Sequence, residues 1–381
     1  MGSTLVTPLY ELYRKHFGFS VIVLTLIYAV YVVGNVLALL FFGRVSDQAG
    51  RRRVAMVAIG LAAAGAFVFL FAQSTVWLFI ARALLGLAVG IASGTGAAWI
   101  AELYGSDSTS RATIATIAGN FTGIGVGPLI AGILAAYAPS ALQLPFVFYL
   151  VALGATGVLV ACCAPETVNS KLRSLRELQV RPRIGVPERI RGQFIAPALT
   201  VFASFALGGF YFALLPRMVN QTLRIPNVAV GGAIVFELGI TLVVCSLATQ
   251  NIERQRAMVA GLFGLIPSAA LLILAQALHS LPLLLAASAI TGCAMALSYR
   301  GSLQVVNAIA PAQQRAEVVS CYFIAGFTGN SIPVIGLGVI STFSNALIAN
   351  SALAIVVVGF AVVALMAQKR YPSTRVLRRA A

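Results

Sequence analysis

The chain has 381 residues, 60% of them hydrophobic and only 9% charged, with a mean hydropathy of +0.95. Water-soluble globular domains carry about a quarter charged residues, so that class is excluded. A formal net charge of +16 could suit nucleic acid, but the 26 Lys and Arg cluster in short segments between apolar runs, which argues against it.

Nineteen residues precede Ser20; they are apolar from Leu5 to Tyr13 yet carry Glu11, Arg14, Lys15 and His16. A start at Met1 would leave a charged amino group and unpaired N–H groups about halfway into a bilayer, which is costly. A truncated first helix is therefore expected, the other reading being a short tilted helix at a thinned bilayer edge. Apolar runs long enough to cross a hydrocarbon core about 30 Å thick follow. They cover 20–42, 54–73, 76–101, 112–137, 145–164, 194–216, 228–249, 257–278, 281–307, 315–342 and 345–368, which predicts eleven full transmembrane helices. The polar connection 165–193 carries Pro165, Pro182, Pro187 and seven basic residues. It divides the chain into an N-terminal bundle (1–164) and a C-terminal bundle (194–368), with a basic tail over 369–381.

With the connections assigned alternately to two sides, 20 basic residues fall on one side and 4 on the other, while Arg82 and Arg300 lie inside apolar runs. The positive-inside rule makes the richer side, with the linker and the C-terminus, cytoplasmic. Its cations also suit anionic lipid headgroups. Cys162, Cys163, Cys245, Cys293 and Cys321 all sit in apolar runs without CxxC spacing, as packing cysteines do. The sequence has no GxxxxGK[ST] phosphate loop, no HExxH and only His16 and His279, so no metal, cofactor or ATP-driven step is expected.

The connection Gly43-Arg-Val-Ser-Asp47-Gln-Ala-Gly50-Arg51-Arg52-Arg53 reads as a tight helix-to-helix turn. Its glycines permit close backbone approach, and its carboxylate suits a helix N-terminus. The Gly-x-x-x-Asp-x-x-Gly-Arg-Arg spacing resembles the signature loop of the major facilitator superfamily. Other stretches are similar to that family: Arg82 followed by Gly86 and Gly90, and Gly119, Gly123, Gly127, Pro128 and Gly132, the pattern associated with antiporters. Glu102 and Pro165-Glu166-Thr167 echo it further. A second copy of the loop is expected at Gln250–Arg256, where Glu253 survives but no glycine does, so the two halves need not gate alike.

The resemblance implies an all-α integral membrane protein of two six-helix bundles related by a pseudo-two-fold axis, twelve helices with the first truncated. It implies alternating access around a midplane site. In the family's role, Asp47 would hold the cytoplasmic side closed against the N-terminus of the helix starting at 315, and the Gly119 to Pro128 segment would seal against proton leak. Gly119, Gly123 and Gly127 share one face that lets another helix approach, and Pro128 invites a bend.

Ionisable residues inside a span are functional candidates. Glu237 is the midplane carboxylate and takes the proton-coupling role, with a structural hydrogen bond as the plainer reading. Arg82 suits a proton relay or structural pairing, Arg300 a substrate anchor or a side chain reaching the interface, and Glu11 is a second acid. Helical spacing groups Tyr28, Tyr31 and Asn35 on one face, and Phe323, Phe327 and Asn330 on another. With Phe205 and Phe212, these faces suit a cavity for an amphipathic solute, although such stripes also serve packing.

Proton-coupled efflux of a small organic or drug-like molecule by antiport is the expected function, with uptake by symport as the alternative. A membrane enzyme would need a nucleophile with its base, and a sensor an extra soluble domain; the sequence offers neither. The expected partners are a small-molecule substrate, protons and membrane lipids, with no nucleic acid, and a monomer suffices. Alanine-rich helices, Arg over Lys and short loops fit a bacterial inner membrane.

Overall fold

The computed structural model describes residues 1–42, 45–104, 109–168 and 184–371, and every regular element among them is helical. A 3-10 turn at Thr7–Leu9 leads into α1 (Tyr10–Phe17), closed by Gly18 in the left-handed region. Then come α2 (Val21–Phe42), α3 (Val45–Ala49), α4 (Arg51–Leu70), α5 (Thr75–Tyr104), α6 (Thr109–Tyr137) and α7 (Leu144–Cys163). The second half holds α8 (Arg191–Ala213), α9 (Leu215–Gln221), α10 (Val228–Ala248), α11 (Arg254–Ala277), α12 (Leu281–Ile309), α13 (Arg315–Phe343) and α14 (Ala346–Arg370).

Among the described residues, eleven helices are long and apolar enough to cross a membrane, as the hydropathy pattern predicts. Their ends differ from the apolar runs by a few residues because caps, not hydropathy, stop a helix. Asn227 accepts from the Ala229 N–H at 2.9 Å, and Asn345 from the Ile348 N–H at 2.9 Å. Arg51 and Arg254 open α4 and α11, so these helices start three residues before their apolar runs. The run over 194–216 is broken at Leu214, and α9 begins there as a separate helix.

In one bundle α5 packs on α2, α4 and α6, and α7 on α4. In the other, α12 packs on α11, α10 and α8, and α8 on α13 and α14. The bundles meet along α6 against α10 and α2 against α13, with α1 touching α9. The α2 helix runs toward the arginine loop and α13 away from it, so the two are antiparallel. Leu5, Val6, Leu9, Tyr10 and Tyr13, from the charged start of the chain, are buried in the core.

Candidate functional site

The arginine loop is held by carboxylates from two other helices or their ends. Gly50 has φ +97°, a conformation that side chains resist, and a Cβ there would lie 2.8 Å from Glu166 Oε2. Glycine thus lets Glu166 reach the start of α4, where it accepts from the N–H groups of Arg51 (2.8 Å) and Arg52 (3.0 Å). Burial pushes the Glu166 carboxyl up, but four backbone N–H donors outweigh it and hold the group below its ordinary value. Arg51 is buried and forks onto Glu102 at 2.6 and 3.2 Å, and it also pairs with Asp47. Arg52 and Arg53 are exposed. The carboxylate at the start of α4 is Glu166, while Asp47 is engaged with Arg51 inside its own bundle. Gly43 lies outside the described residues.

Deeper in, Arg82 is fully buried, and among the described residues no carboxylate pairs with it. Its guanidinium donates to the Ser3 carbonyl at 2.9 Å and to the Tyr10 hydroxyl, and it stands 5.1, 5.8 and 5.0 Å from the ring centres of Tyr10, Tyr28 and Tyr31. Three ring faces at about 1–2 kcal/mol each, with these hydrogen bonds, offset the several kcal/mol needed to bury the charge. Tyr28 carries this cage across the bundle interface by donating to Asn330 Oδ1 at 3.0 Å, and Asn35 donates to Tyr31 at 3.3 Å. The two expected polar faces are thus joined, around an arginine.

The phenylalanines gather elsewhere. Phe205 lies 5.9 Å from Tyr299 and 6.0 Å from Phe327, which is 6.4 Å from Phe323. Phe121 of the facing bundle reaches Tyr299 edge-on at 5.9 Å. All five rings are half-buried. Phe121 and Tyr299 were missed in the sequence, although one sits inside the glycine motif and the other beside Arg300. Phe212 packs on the main core. Arg300 leaves the aromatic face: it lies about 100° further round α12 than Tyr299.

Glu237 is half-buried on α10 and accepts from the Ser288 hydroxyl of α12. Its helix crosses α6 on glycines. A Cβ at Gly232 would overlap the Pro128 carbonyl oxygen, one at Gly239 would lie 2.9 Å from the Gly125 Cα, and one at Gly132 would lie 3.1 Å from the Ala229 Cα. The expected close approach along Gly119, Gly123 and Gly127 is made instead by Gly125 and Gly132. Gly123 and Gly127 face the Met1 backbone, and Gly119 faces open space.

At the end opposite the arginine loop, Glu11 is buried and accepts from Arg14 at 2.6 and 2.9 Å and from Gln221 of α9 at 3.1 Å. A Cβ at Gly338 of α13 would overlap Thr25 Oγ1 of α2. The named inter-bundle contacts therefore run from mid-helix to this end. At the arginine-loop end a cleft of about 500 Å³ opens among Glu253, Arg254, Gln304, Asn307, Ala308 and Arg315.

A comparison with family profiles matches residues 1–334 to the Major Facilitator Superfamily. A search among curated proteins returns no match. Among solved structures, the human organic anion transporter MFSD10 (TETRAN) aligns with a TM-score of 0.67 at 17% identity, over 95% of both chains. A bacterial homolog of the human lysosomal transporter Spinster aligns in its inward-facing unoccupied form (TM-score 0.66, 15% identity, 96% of this chain and 91% of the other). Its inward-facing occupied form gives 0.69 at 13% identity, over 97% and 94%. At these identities the likeness is one of fold. The profile match covers most of the chain, and with eleven spanning helices it shows that this multi-pass membrane protein belongs to the major facilitator superfamily and is a secondary transporter of small molecules.

Proposed function

We propose that the transporter exports a small organic molecule in exchange for protons, in the manner of the drug/proton-antiporter branch, with Glu237 as the proton-carrying group. One observation carries the reading: Glu237 lies between Gly232 and Gly239, the two α10 glycines on which the crossing with the antiporter-like segment of α6 is built. A proton taken up there acts on the helix that must move when the bundles rock. Ionised, the carboxylate accepts from Ser288 and ties α10 to α12; protonated, it sheds a charge that is costly at membrane depth and frees α10 to shift against Pro128 and Gly125. The half-buried rings of Phe121, Phe205, Tyr299, Phe323 and Phe327 supply an apolar seat between the bundles for the substrate's body.

With the arginine-rich end taken as cytoplasmic, inter-bundle contacts that run from mid-helix to the opposite end support an inward-opening form that loads a molecule for export across a bacterial inner membrane. Asp47, paired here with Arg51, is free to change partners when that end closes. Substrate-driven proton flux in proteoliposomes tests the reading, wild type against Glu237→Gln. The variant is expected to bind substrate but to lose coupled flux; undiminished flux in Glu237→Gln would remove the assignment.

A further inference from the structure

The C-terminal bundle contains a charge that the described residues leave unanswered. Arg300 is 8% exposed, and among the described residues its Nε, Nη1 and Nη2 are all buried without a hydrogen-bond partner. The other two arginines buried among the described residues are better supplied: Arg51 has Glu102, Asp47 and Ser46, and Arg82, although its Nε is also unpartnered, has Ser3, Tyr10 and three ring faces. Among the described residues Arg300 forms no ion pair. Its close titratable neighbour is the Cys245 thiol of α10, itself turned to the Cys293 carbonyl at 3.7 Å. A buried guanidinium with five empty donors costs several kcal/mol, and burial of that kind persists where a ligand answers it.

Helical spacing connects this side chain to the cleft. Gln304 and Asn307 lie four and seven residues beyond Arg300 on the same face of α12, and both line the opening. Arg254 and Arg315 stand at the same cleft against the single acid Glu253, a balance that draws anions in. The planar fork of a guanidinium matches a carboxylate or a phosphate.

From this we infer that Arg300, approached along Gln304 and Asn307, is an oxyanion-binding site of the C-terminal bundle, separate from the aromatic seat. Its ligand carries a carboxylate or phosphate, as a free solute or as the headgroup of an anionic lipid. The site stands whether or not Glu237 couples protons.

The test uses the full chain with Cys245 as its only cysteine, in phosphatidylcholine nanodiscs. Benzoate and inorganic phosphate are added, with benzamide as the neutral control, and two quantities are read: the alkylation rate of Cys245 by a small maleimide and the thermal midpoint. An oxyanion is expected to slow alkylation and raise the midpoint, whereas benzamide does neither. Arg300→Gln should weaken the effect roughly a hundredfold and Arg300→Lys roughly tenfold. Protection that needs no solute but requires phosphatidylglycerol in the disc identifies a headgroup; protection that needs added solute identifies a free anion. Benzamide acting as well as benzoate, or protection persisting in Arg300→Gln, would overturn the site, as would no protection from either source. Should Arg300→Gln fail to fold, the benzoate and benzamide comparison in wild type and in Arg300→Lys decides alone.

Discussion

Glu166 shows how much of the arginine loop depends on one distant side chain. Its carboxylate caps α4 through two N–H groups, and it can approach only because Gly50 lacks a Cβ. Loss of such a cap costs about 1 kcal/mol, and the exposed position of Glu166 argues against a larger figure. Glu166→Gln should therefore lower the thermal midpoint in detergent at neutral pH. Because the folded carboxyl titrates below its ordinary value of 4.5, its stabilisation is complete above that value and fades as the pH falls through the depressed one. The gap between wild type and variant should shrink as the pH is lowered below about 4.5; a gap independent of pH would mean that charge plays no part in the cap. The sequence marked Pro165-Glu166-Thr167 as an echo of the family but gave no sign that Glu166 would cap α4. A pattern names the acids near a turn, but which one reaches the helix start depends on a partner 115 positions away.

At the scale of helices, the α6 and α10 crossing has two glycine faces to choose from, and it uses Gly125 and Gly132 rather than Gly119, Gly123 and Gly127. Gly232→Ala would drive a methyl into the Pro128 carbonyl and should cost about 1–3 kcal/mol, with transport falling alongside. Gly119→Ala meets nothing within 4 Å and should leave the thermal midpoint close to wild type. Equal damage from both, measured side by side, would show that the glycines act other than by close packing. Spacing of four residues told which glycines share a face; it could not tell which face meets a partner, because that partner lies about 100 residues away. The same limit hid Phe121 and Tyr299. By contrast, the eleven spans were legible, since hydropathy over 20 residues is local and needs no partner. Tyr28, Tyr31 and Asn35 were rightly grouped on one face, but that Arg82 is what the two tyrosines surround required the fold.

For the molecule as a whole, the two bundles are joined from mid-helix to one end by Tyr28 with Asn330, Thr25 with Gly338, and Glu11 with Gln221. The polar part of this contact is modest: with Asn227 donating to Tyr137 at 2.9 Å, three hydrogen bonds worth about 1 kcal/mol each net lie beside glycine packing. An interface of that strength can open during a transport cycle, whereas the helix packing inside each bundle, with its buried arginines and apolar core, moves as a unit. If rocking is the mechanism, this end must separate in every cycle. Cysteines at Thr25 and Gly338, introduced into a chain whose own cysteines have been replaced, lie close enough to be joined by a disulfide or a short cross-linker. Once joined they should stop transport in proteoliposomes while leaving the thermal midpoint at or above that of the reduced protein, and reductant should restore activity. Transport that continues at full rate in the cross-linked chain would mean that α2 and α13 stay together throughout, and the path for substrate would then have to open between α6 and α10 alone.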